Sequence, residues 1–127
     1  MFDFKILLRA TLVGVVLHVT FVLVETFFPS IRQVIGLRAA MFAVMMMGGI
    51  AGLLYARDLD KGYSPGALGG LLAGMASVFS GLALAASLNA PPTFPLGVGT
   101  VIGTAIGAIG GVFGQMSANI RKVIGKF

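Results

Sequence analysis

Four stretches of this chain are each apolar over about the length that a helix needs to cross a hydrocarbon layer roughly 30 Å thick. They cover residues 6–28, 39–56, 65–88 and 96–116, and charge or proline separates them. The sequence therefore predicts an all-α polytopic membrane protein, with four transmembrane helices in one compact, glycine-rich bundle formed by residues 1–127. Residues 30–38, "SIRQVIGLR", are either a short interfacial helix or a tilted start of the second span. Ser64 and Pro65 suit the cap and first turn of the third. The prolines of "NAPPTFP" favour an extended turn between the last two spans.

The charges orient such a bundle. With four spans, Lys5, Arg9, Arg57, Lys61, Arg121, Lys122 and Lys126 fall on one side, and Arg32 and Arg38 on the other. Basic loops stay cytoplasmic, so both termini are expected inside, in a bacterial inner membrane. The net charge of +5 then reflects topology, and no nucleic-acid partner is expected. The first span is long for a secretory signal, and "VETFFPS" has no small-x-small cleavage pattern, so it reads as a retained anchor.

Residues 97–114, "GVGTVIGTAIGAIGGVFG", hold seven glycines in eighteen positions. Lipid supplies no hydrophobic force between helices, so small residues four apart allow the close backbone approach that association needs. Gly99, Gly103, Gly107 and Gly111 form such a ridge. Gly66, Gly70 and Gly74 form another on the third span, beside a second row of Gly69, Ala73, Ser77, Gly81 and Ala85. Gly48 and Gly52 belong to the second span. Spans two, three and four are expected to pack closely. The glycine-rich helices resemble those of ATP-synthase rotor-ring subunits, but the fourth span lacks their mid-membrane carboxylate. No phosphate-cradling loop is present, because no Gly-Lys-Ser/Thr ending follows the glycines.

The first span is bulky and carries Thr11, Gly14, His18 and Glu25 at helical spacing, which places them on one face. Polar groups at membrane depth turn toward protein or water, so this stripe is expected to face the bundle, a cavity or a partner. His18 lies mid-span, and the hydroxyls of Ser77, Ser80 and Thr104 lie at comparable depth to receive a hydrogen bond from it. The Gly14-x-x-x-His18 spacing is similar to that of light-harvesting antenna polypeptides. That resemblance implies a tetrapyrrole ligated through His18, although those polypeptides cross the membrane once. A proton-coupled pair of His18 and Glu25 is a third reading. Met45, Met46 and Met47 fan around a helix and cannot converge on a metal. Asp58, Asp60 and Gly62 lack the later ligands of a calcium loop, and a self-neutralising hairpin loop fits them better. The basic end "NIRKVIGKF" suits an anionic membrane surface or a cytoplasmic partner.

A single histidine, four scattered carboxylates and no cysteine leave no catalytic constellation, and no enzyme is expected. Neither metal nor catalytic residues are assigned, and the residues do not define a cofactor. Beyond the lipid bilayer, the expected partners are other integral membrane subunits or copies of this chain. One reading is a structural or accessory subunit packed against other membrane subunits. The alternative is a small homo-oligomeric channel or transporter lined by Thr11, His18, Glu25, Ser77, Ser80, Thr100 and Thr104. Fluoride channels and small multidrug transporters share the size and span number. The fluoride-channel motifs are missing here, and Glu25 lies at the end of its span, where the multidrug family has a mid-span glutamate.

Overall fold

The computed structural model describes residues 3–89 and 94–125, except for the side chain of Arg32. The prolines at 91 and 92, the charge of Lys126 and the side-chain position of Arg32 lie outside the described residues. Four helices make up the fold: α1 (Phe4–Phe27), α2 (Pro29–Leu59), α3 (Tyr63–Ser87) and α4 (Leu96–Ile124). All four carry an apolar stretch long enough to span a membrane, within Gln33–Leu59 in the case of α2.

Each boundary has a local cause. α1 starts ahead of its apolar run because the Asp3 carboxylate accepts hydrogen bonds from the Lys5 and Ile6 amides, at 3.0 and 3.2 Å. Pro29 both stops α1 and opens α2, where its missing N–H is harmless, so Phe28 alone joins the two helices. The stretch from residue 30 to 38 is divided by Gly36, whose φ of 81° and ψ of 164° kink α2, so residues 30–35 form a short helical segment while Leu37 and Arg38 open the main span. α3 corrects the expected cap. Gly62, with φ 107°, occupies the N-cap position without a side-chain bond, and Ser64 lies inside the first turn. α4 continues past its apolar run to Ile124, carrying Arg121 and Lys122 in its last turn.

α2 and α3 touch each other along the middle of the bundle. α1 packs against both from one side and α4 against both from the other, so α1 and α4 share no interface among the described residues. Bulky side chains fill the two ends. Val44, Val78, Leu82 and Phe94 make one cluster, with Met41 and Met45 packed onto it, while Ala10, Tyr55 and Leu59 make the other. Between these clusters the contact of α2, α3 and α4 is largely backbone on backbone.

Candidate functional site

The glycines of that central waist meet in register. On α3 and α4 the pairing is antiparallel: Gly66 faces Gly111, Gly70 faces Gly107 and Gly111, and Gly74 faces Gly103 and Gly107. A Cβ on Gly107 would come within 2.8 Å of the Gly74 Cα. On α2 and α4 the pairing is parallel, with Gly48 beside Gly103 and Gly52 against the Gly107 carbonyl. At these contacts the hydrogen that a side chain would replace points at a carbonyl oxygen of the neighbouring helix. That is the geometry of Cα–H···O bonds, each contributing about 0.5–1 kcal/mol. Gly99 faces Leu82 and Phe94 instead of a helix backbone. Gly49, Gly110 and Gly114 extend the α2–α4 contact: Gly110 meets the Gly49 carbonyl and Gly114 the Leu53 carbonyl. Their offset from the four-residue ridge hides them from a search for one ridge per helix.

The polar stripe of α1 turns inward. Ala10, Gly14, His18, Val22 and Glu25 are its buried residues, and Thr11 stands at the edge, only half-buried. Gly14 packs against Ser77 and Ala51, and the His18 ring lies on Gly81, where any Cβ would overlap the imidazole. The second small-residue row of α3 thus receives α1, with Gly69 similarly making room for the ring of Tyr55. His18 is 1% exposed, and its Nδ1 lies 3.3 Å from the Ser77 carbonyl oxygen. A carbonyl only accepts, so Nδ1 carries the proton in this contact. The expected hydroxyl partners need correction. The Ser77 hydroxyl donates to the Ala73 carbonyl at 2.9 Å and that of Ser80 to the Ala76 carbonyl at 2.7 Å. Thr104, on α4, donates to the Thr100 carbonyl, and among the described residues α4 does not meet α1. A tetrapyrrole metal would bind the imidazole at Nε2, in the plane of the ring, and would need open space beside that nitrogen, whereas His18 is almost wholly enclosed.

Glu25 is buried at the far end of α1, 8% exposed. It lies about 10 Å along the axis from His18 by helical rise. The residues named for a conduction path do not converge: Thr100 and Thr104 are on α4, across α2 and α3 from the α1 stripe, and their hydroxyls close onto their own helix. Among the described residues no three histidine, aspartate or glutamate side chains stand together as a metal would require.

A polar cluster that sequence reasoning missed closes the other end of the bundle. Gln115, 3% exposed, accepts from the Gly62 amide at 3.0 Å and donates to Asp60 at 2.9 Å and Asn119 at 3.0 Å. Lys122 forms an ion pair with Asp60 at 2.9 Å, and Asn119 donates to the Tyr63 hydroxyl at 3.3 Å. The hydrogen bonds from Lys122 and Gln115 hold the Asp60 carboxyl below its ordinary value. Arg57 pairs with Asp58 at 3.0 Å, so the loop balances its charge partly within itself and partly through α4. The available signal was a lone glutamine at the end of an otherwise apolar glycine helix.

Comparison with family models, with characterised proteins and with solved structures finds no match for this chain.

Proposed function

We propose that this protein is a non-catalytic integral membrane subunit that packs as a preformed block against other membrane proteins in a larger assembly. The observation carrying this reading is that most glycines of α2, α3 and α4 and the polar stripe of α1 are engaged within one chain. The glycines of α2, α3 and α4 meet one another, His18 meets α3, and the hydroxyls of Ser77, Ser80, Thr100 and Thr104 bond to their own helices. A pore between copies would need polar stripes facing outward, whereas the outer surface is dominated by large apolar side chains. In this reading the glycines act as a zipper that gives the block its rigidity. The polar stripe serves internal packing, and docking falls to the apolar exterior. The excess of basic residues at the end holding both termini supports a cytoplasmic placement for them, as in a bacterial inner membrane.

Native mass spectrometry of the protein, extracted from its own membrane in a mild detergent, tests the reading. Other membrane subunits in fixed ratio are the expected result. A defined homo-oligomer that conducts ions or solutes in liposomes would overturn it. Reporter fusions at each terminus test the orientation separately.

A further inference from the structure

The outward face of α1 is the reverse of its packed stripe, and it is not uniformly apolar. Lys5 and Arg9 stand one helical turn apart on it, both exposed. Neither side chain has a hydrogen bond or ion pair among the described residues, in contrast to Arg57 and Lys122 at the same end of the bundle, which are paired with Asp58 and Asp60. Leu8 lies between the two cations, Leu12, Val16 and Leu17 continue the face toward the membrane centre, and together these side chains border a shallow groove of about 540 Å³.

Two unmatched cations above an apolar groove complement a molecule with an anionic head and a hydrocarbon tail. Arg9 sits about 7.5 Å along the helix from Phe4. From there its long side chain reaches the headgroup layer while its stem covers apolar surface. A guanidinium binds phosphate with two parallel hydrogen bonds, and the Lys5 ammonium adds a point charge one turn higher. We propose that this face of α1 is a binding site for an anionic phospholipid, with its phosphate between Lys5 and Arg9 and an acyl chain along Leu12, Val16 and Leu17. A zwitterionic lipid gains little there, because its own ammonium repels the pair. This assignment is independent of whether the bundle docks to other subunits.

The test is native mass spectrometry of the full chain titrated with dioleoylphosphatidylglycerol or dioleoylphosphatidylcholine, read as lipid retained under increasing collisional activation. The intact protein should hold the anionic lipid roughly tenfold better or more, the scale set by two basic residues at a membrane surface. The double variant Lys5→Gln/Arg9→Gln should lose that preference with an unchanged melting temperature, and Arg121→Gln should keep it. If the double variant does not fold, Val16→Trp, which fills the groove and leaves both cations, should weaken anionic-lipid retention alone. Equal retention of both lipids by the intact protein overturns the proposal. So does a preference that survives the double variant or Val16→Trp, or that vanishes equally in Arg121→Gln. A photocrosslinker at position 12 that captures a protein in place of lipid also overturns it.

Discussion

Gly107 on α4 is in backbone contact with Gly52 on α2 through its carbonyl oxygen, and the same residue meets Gly70 and Gly74 on α3. One position thus serves two interfaces, and no side chain of any size fits there.

Gly107→Ala should therefore destabilise the bundle on the order of 3 kcal/mol, the upper part of the range for overpacking a well-filled core, and Gly107→Leu by more. Gly97→Ala is the matched control, because a Cβ at Gly97 meets nothing within 4 Å. Unfolding in mixed micelles by a denaturing detergent measures both. Equal stability of the two alanine variants would sink the close-packing account.

His18 and Gly81 are coupled by contact. Gly81→Ala should displace the imidazole and destabilise the protein, and His18→Ala should lose the Ser77 bond and leave a void. The double variant should cost less than the sum of the singles by roughly 0.5–3 kcal/mol, the range for residues in contact. Strict additivity in a double-mutant cycle would show that the ring does not rest on Gly81.

Gln115→Leu removes the acceptor of the Gly62 amide and the donor to Asp60. A loss of about 1–3 kcal/mol is expected for a buried group left without its partner. Hydrogen exchange at Gly62 should accelerate while amides in the middle of α3 remain protected. Unchanged exchange at Gly62 counts against the hydrogen bond to Gln115.

Asp60 gives this end of the bundle a pH dependence with a definite sign. Its folded-state pKa is lowered, chiefly by the hydrogen bond from Lys122, so the folded state favours the ionised form. The stabilisation is fully present above the ordinary carboxylate value of 3.8 and is lost as pH falls through the lowered folded value. Melting temperature followed from neutral pH into acid should fall less steeply in Asp60→Asn than in the parent. Parallel curves would remove Asp60 from the account.

The helices were legible because an apolar run of membrane length has few alternatives, and Pro29 and Asp60 mark reversals that charge and ring chemistry already signal. The cost of burying His18 in lipid narrowed the α1 stripe to facing the bundle, a cavity or a partner, and that argument does not choose among them. Which atom His18 meets did not follow, because serine and threonine hydroxyls in a membrane helix can close onto the carbonyl four residues back, and Ser77 does so while leaving its own carbonyl to the imidazole. Gln115 was illegible for a different reason. Its partners lie 53 and 55 residues away in a turn whose shape depends on the positive φ of Asp60 and Gly62, and no local pattern encodes that approach. Thr11 shows the limit of helical-face arithmetic, since a residue seven positions before His18, and so about 20° from it around the axis, falls at the edge of the contact.

The waist where α2, α3 and α4 meet is built mainly of glycine backbone, and glycine has no rotamers. Docking these three helices consequently freezes few side-chain torsions at the centre, and the joint has few torsions to release when pushed. A displacement imposed on α1 reaches α4 only through α2 and α3, so it would have to travel as rigid translation of whole helices. The bundle should behave as a strut, transmitting force across the membrane plane with little give, with the bulky clusters at its two ends supplying what compliance it has.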